Sequence, residues 1–322
     1  MLFVSIPFLM LFKVGRILGM PSVLSLQCNG YQNSRLSYTS SSIIIAMCVF
    51  MNLTESSYNG GSVCYVGSGC ISFVDCTFAF SKSSNTGGAI YTEPMDCSLI
   101  RVCGYQCQCG VSCNFAYLTS SSSFNNVSLL TVTKCTDIFY GDYSIYMNYG
   151  IQNVFNFNSS YNKCQYGSSI FYNLAYSTDV QYNILSHNRV SNYICFCFKG
   201  GVSSVKSTSV IDCNSPSLSV LYTYGGNSLN MNTCVFMNNS DALIYGSNSI
   251  YISNCAISHG SNAISGLVTI GDNVIYTISN LPLMDIFSSA FCDDHILIIA
   301  SKSRSYSEIR VIFSIYLLSN AE

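Results

Sequence analysis

The sequence predicts an all-β fold, a parallel β-helix solenoid of about nine or ten coils. Three observations carry that expectation. First, a cysteine recurs inside one short phrase: IIIAMCVF around Cys48, ISFVDCTF around Cys76, LTVTKC around Cys135, VIDC around Cys213, LNMNTCVF around Cys234 and IYISNCAI around Cys255. The steps are 28 from Cys48 to Cys76, 27 to Cys103, 32 to Cys135, and then 21 and 21 between Cys213, Cys234 and Cys255. Such a period marks units that bury their apolar faces only by stacking on their neighbours. Second, a small or Gly pair followed by a short apolar strand ending in Tyr recurs as GGSVCY (to Tyr65), GGAIY (to Tyr91), GDYSIY (to Tyr146), GSSIFY (to Tyr172) and SDALIY (to Tyr245). Third, only 9% of the chain is charged and 49% is hydrophobic, with polarity supplied by Ser, Thr, Asn, Gly and 24 Tyr. That mixture suits short strands joined by turns.

Residues 1–42 lie before the repeats and are read as an N-terminal cap. Leu2 to Phe12 has the length of a signal-peptide core, so a signal over 1–20 is the alternative, although no basic residue precedes it and no clear cleavage site follows. No run reaches the roughly 18 apolar residues of a membrane-spanning helix.

The repeats occupy 43–280. In the Cys76 coil, Ile71 and Phe73 alternate with polar neighbours, Asp75 breaks the alternation, and Cys76 and Phe78 resume it one position out of phase. A sharp one-residue corner at Asp75 would keep both flanking strands apolar inward. The same frame puts corners at Thr233 and Asn254. Where the Cys is missing, Ser160 and Leu185 are expected to fill its place, and Cys103 fills it in LIRVCGY. Stacked neighbours would sit about 4.8 Å apart, so the recurrent Cys are read as buried, mostly reduced packing residues in preference to a disulfide ladder. Residues 281–322 lose the pattern and are read as a C-terminal cap, with the strand-like IRVIFSIYLL as its cover for an exposed edge.

Composition also bounds function. A net charge of −2 offers no basic excess for phosphates, so nucleic acid is not expected as a partner. A carbohydrate-active lyase or hydrolase on the same fold would need clustered carboxylates. The 15 acidic residues are instead spread along the chain. Asp293-Asp294-His295 and Ser258-His259-Gly260 hint at glycosidase fragments but lack partner motifs, and His187 reads as a corner or surface residue. Cys103, Cys107, Cys109 and Cys113 form a C-x3-C-x-C-x3-C cluster whose gaps differ from common Zn²⁺ spacings, so thiols or local disulfides are preferred to a metal. Cys195 and Cys197 share a strand and are expected to pack inside. Sequons stand at Asn52, Asn126, Asn158 and Asn238, a number that abundant Ser and Thr supply by chance. No catalytic residue, cofactor or metal is assigned.

GGAI at Gly87–Ile90 and the F-x-x-N run Phe236-Met237-Asn238-Asn239 resemble the repeats of polymorphic outer-membrane proteins. The Ser/Asn/Tyr-rich composition is similar to that of β-helix surface proteins of parasitic protists. The resemblance implies a right-handed, pectate-lyase-like parallel β-helix displayed at a cell surface and used in adhesion. The resulting expectation is a monomeric, non-enzymatic, surface or secreted protein that binds a protein or glycan on a host or neighbouring cell. The alternatives are a carbohydrate-active lyase or hydrolase on the same fold and a cytoplasmic structural repeat protein with reduced thiols.

Overall fold

The structure, a computed structural model, describes residues 24–276 apart from 40, 41, 121, 122, 137, 139, 227, 241, 259 and 260, together with Cys292. Strands dominate the described residues, which also hold a short 3-10 turn at Ser261–Ala263. Every strand pairing among the described residues is parallel, and strands bond their equivalents in neighbouring coils, as Ile71–Ala79 does with Ile43–Met51 and Cys97–Tyr105. The chain is therefore a parallel β-solenoid, of about eight turns. At ~4.8 Å per coil the stack is about 40 Å long.

One coil shows why these residues fold this way. In Ile71–Ala79 the alternation sends Ile71 and Phe73 inward, Asp75 adopts φ 53°, and Cys76 and Phe78 again point inward. A single left-handed residue turns the chain without losing either apolar face. The corner recurs at Met47, Arg101, Leu129, Asn156, Tyr182, Ser207, Thr233 and Asn254, all with φ near +50°. The corners expected at Asp75, Thr233 and Asn254 are thus present.

A second corner of the same kind follows five residues after the first, at Asn52, Phe80, Gln106, Lys134, Tyr161, His187, Asp212 and Asn238. Each corner is followed by an inward residue, so the coils carry two ladders. Cys48, Cys76, Cys234 and Cys255 belong to the first; Cys107, Cys135 and Cys213 belong to the second. A reading with one corner per coil merges them, and five placements change accordingly, Cys213 among them because it follows the second corner at Asp212. Val102, not Cys103, fills the first ladder, because Cys76 faces Val102 while Cys103 faces Thr77. Leu130 stands above Val102 and Phe157 above Leu130, which displaces Cys135 and Ser160 from that column. The following coil places Asn183 there, in place of Leu185.

The hydrogen bonds of the second ladder explain why both Cys and Asn occupy it. Asn162 accepts the N–H of Cys135 at 2.9 Å and donates to the Val132 carbonyl at 3.0 Å. Asn188 accepts the N–H of Asn162 at 3.0 Å and donates to Ser159 O at 2.8 Å. Asn239 accepts from Cys213 N at 2.9 Å and donates to Val210 O at 2.9 Å. The thiols repeat the donor half of this pattern: Cys213 points its S–H at Leu185 O, 3.5 Å away, and Cys107 at Phe78 O, 3.6 Å away. In the first ladder Cys76 does the same to Ile45 O at 3.4 Å, while Cys255 Sγ accepts the N–H of Cys234 at 3.3 Å. The recurring residue satisfies backbone groups that a corner would otherwise leave buried and unpaired.

After the second corner a short strand such as Lys82–Ser83 leads into the Gly pair and the third strand. Gly87 takes φ +72°, and a Cβ on Gly88 would lie 2.1 Å from Asn114 O in the next coil. The GG pair is therefore a turn plus a close approach between coils. Phe50 and Phe78 stack at 4.8 Å in the centre.

Candidate functional site

The third strands build the most distinctive surface. Alternation sends Ile90 and Thr92 inward and leaves Tyr91 and Glu93 facing out. Register then stacks outward residues in two columns. One runs Tyr91, Tyr117, Tyr146, Phe171, Cys197, Tyr222, Tyr245; the other runs Thr119, Asn148, Asn173, Lys199, Tyr224. In the first column Tyr91, Tyr117, Tyr146 and Phe171 stack with centroids 5.1, 5.1 and 5.3 Å apart and planes within 10°. Tyr143 lies 4.7 Å from Phe171, and Tyr193 meets Tyr222 edge-on at 6.0 Å. These outer rings leave Phe171 only 3% and Cys197 only 1% exposed, so a second apolar cluster sits outside the solenoid core.

In the second column the Asn173 amide donates to Asn148 Oδ1 at 2.7 Å, and Lys199 Nζ lies 5.3 Å from the Tyr224 ring centroid. Burial pushes the Tyr143, Tyr146 and Tyr224 phenols up, so they are neutral donors at any ordinary pH. At the turn side of the face a shallow cleft of ≈ 520 Å³ is lined by Glu93, Pro94, Met95, Tyr117, Asn148 and Tyr149. Because the rings stack along the solenoid axis, their faces are closed by one another. What the surface offers outward is ring edges, phenol hydroxyls and amides on a rigid lattice.

The recurring Tyr phrase marks this face only in part. Tyr91, Tyr146 and Tyr245 end it and point out, whereas Tyr65 and Tyr172, 0% and 1% exposed, end the same phrase and point in. GGSVCY and GSSIFY place their Tyr one position out of phase, so Cys64 and Phe171 take the outward places instead. Tyr117 has no Gly pair before it; the alternation Ala116, Tyr117, Leu118, Thr119 is the signal that would have found it.

The other singled-out residues fall elsewhere. Cys103, Cys107, Cys109 and Cys113 are not brought together as a ligand set. Cys103 faces outward and is disulfide-bonded to Cys292, with Cα atoms 6.0 Å apart, beside Met51, Ala79, Phe80 and Tyr105. Cys107 belongs to the second ladder, and Cys109 lies against Asn114, whose Oδ1 is 3.5 Å from its sulfur. Among the described residues no group of three or more His, Cys, Asp or Glu is placed to hold a metal ion. Cys195 packs in the inner core, but Cys197 does not: a register irregularity between Ile194 and Phe196 turns Cys195 and Phe196 both inward, and alternation from Phe196 then puts Cys197 in the outer cluster. Cys48 is disulfide-bonded.

His187 is a corner residue, as the repeat frame expects; its ring stacks on Tyr161 at 4.6 Å and its Nε2 lies 3.4 Å from Asp212 Oδ2. Beside it Arg189, Asp212, Asn214 and Asn238 line a cleft of ≈ 230 Å³. Several carboxylates have a local structural bond. Asp75 pairs with Arg101 at 2.5 and 2.8 Å, Asp96 accepts Phe124 N, Glu93 accepts the Tyr91 hydroxyl, and Glu55 accepts Ser57 N, which holds its carboxyl below the usual range. Asp293, Asp294, His295, His259 and Gly260 lie outside the described residues.

No helix among the described residues is long and apolar enough to cross a membrane. Comparison with protein-family models, with curated proteins and with solved structures gives no match for the chain.

Proposed function

We propose that this chain is a non-enzymatic β-helix protein, presented at a cell surface or secreted, that binds a ligand on a host or neighbouring cell through the Tyr-rich outer face. The observation that carries the reading is the stacked column Tyr91, Tyr117, Tyr146 and Phe171 with its flanking amides. Tyr supplies rigid, amphipathic contact area at low entropic cost, which is why it dominates many binding surfaces. Ring faces closed by stacking do not suit sugar stacking. A protein ligand, meeting edges and hydroxyls, fits the face better than a glycan.

The Cys103–Cys292 disulfide and the bonded Cys48 support an oxidising compartment. The GGAI and F-x-x-N runs, now seen as a Gly turn and a strand entering the second corner, support kinship with polymorphic outer-membrane-type repeats. The test is binding of the purified full-length chain to intact cells, with Tyr117→Ala/Tyr146→Ala compared against the parent. A loss of tenfold or more, with thermal stability retained, is the expected result; unchanged binding by a folded double variant would remove the face from the account.

A further inference from the structure

We infer that Asn52 and Asn238 are glycan-acceptor sites and that Asn126 and Asn158 are not; this rests on the surface or secreted reading above. The four sequons are alike in sequence and differ in the fold. Asn52 and Asn238 both occupy the second corner, with φ 56° and 53°, and both are exposed. Asn52 and Asn238 are both open to solvent at this corner, Asn238 at the edge of the cleft it shares with Arg189, Asp212 and Asn214. Asn158 is 6% exposed, and Asn126 lies within a strand, where it accepts the Asn153 amide at 2.8 Å. A glycan on Asn158 has no room in the stacked coils.

Seven corner-to-corner steps separate Asn52 from Asn238, which places them about 34 Å apart on one ridge. The Tyr columns lie beyond the short strand and the Gly turn, so sugars on this ridge leave the binding face open. The two acceptors also differ. Thr54, two residues after Asn52, is exposed, whereas the Ser240 hydroxyl donates to Ser215 O at 3.3 Å and accepts Ser215 N at 3.1 Å. Asn52 is therefore the more fully occupied site.

The donor is a polyprenyl-pyrophosphate-linked oligosaccharide. The Asn amide nitrogen attacks the sugar C1, the C1–O bond breaks as the N–C1 bond forms, the amide proton passes to a transferase base, and polyprenyl pyrophosphate leaves.

The experiment expresses the full chain behind a supplied secretory leader in eukaryotic cells. Passage through the glycosylating compartment then does not depend on the chain's own first residues. Enzymatic deglycosylation in H2(18)O followed by mass spectrometry reads each Asn, in secreted and retained fractions alike. Modified Asn52 and Asn238, each lost only in N52Q or N238Q, with N126Q and N158Q leaving the mass unchanged, is the expected outcome. Unmodified Asn52 and Asn238, or a glycan on Asn158 in folded protein, would overturn the assignment. Localisation of the untagged chain in its own cells tests the secreted reading separately.

Discussion

Asn162 offers the sharpest probe of the corner ladder. It is fully buried, its Oδ1 holds Cys135 N–H and its Nδ2 serves Val132 O and Ser159 Oγ. Asn162→Ala strands a buried backbone donor and a buried acceptor. At ~1–3 kcal/mol for each orphaned group the cost is about 2–6 kcal/mol. Asn162→Cys is the informative comparison. A thiol at this place can still donate to the carbonyl below, as Cys213 does to Leu185 O at 3.5 Å, and can accept an N–H, as Cys255 does from Cys234 at 3.3 Å. The Cys variant should therefore lose only about 1–2 kcal/mol, the remainder reflecting a weaker sulfur bond. Urea unfolding followed by circular dichroism reads both, with unchanged m-values confirming that the same cooperative unit is compared. Equal losses for Ala and Cys would refute the claim that Cys and Asn serve the same corner bond. A loss below ~1 kcal/mol for Ala would refute the ladder's importance outright.

Other consequences are as direct. Thr233 is β-branched and sits at φ 57°, so Thr233→Asn should raise stability by about 1 kcal/mol, read as a higher urea midpoint; a lower midpoint would contradict the left-handed corner. Burial pushes the Cys76, Cys97 and Cys164 thiols up to about 12 from an ordinary value of 9.0. The folded chain holds these protons where the unfolded chain releases them, so their contribution is complete below pH 9 and is lost progressively between pH 9 and about 12. Melting temperatures should fall steadily across that window, and replacing Cys164 with Ser should shallow the slope; a flat profile would count against sealed thiols.

Much of the fold is legible in the sequence because strand alternation and its interruption leave a direct trace. The break at Asp75 reveals a corner, since no straight strand can place Phe73 and Cys76 on one face. The second corner is hidden for a physical reason. It recurs five residues on, and its inward residue is also often Cys, so two columns overlay as one period of uneven step. Asn162 and Asn188 read as ordinary polar residues until stacking shows that their amides meet carbonyls of the coil below. The outward Tyr column is half legible. Alternation separates Tyr91 from Thr92, but a one-residue phase change buries Tyr172 behind the same Gly-led phrase. The Cys103–Cys292 bond, spanning 189 residues, leaves no trace in spacing, because only the folded stack brings the two together.

That the recurring cysteines, apart from the disulfide-bonded Cys48, are sealed thiols that each bond a corner is the point on which the rest depends. Differential alkylation without reductant, before and after unfolding, tests it residue by residue. Cys76, Cys107, Cys135, Cys213, Cys234 and Cys255 should stay unlabelled in the folded chain and label fully once it is unfolded, with Cys103 recovered linked to Cys292. Recovery of any two of those six ladder cysteines as a disulfide-linked peptide, or their rapid labelling in the folded chain, would contradict it.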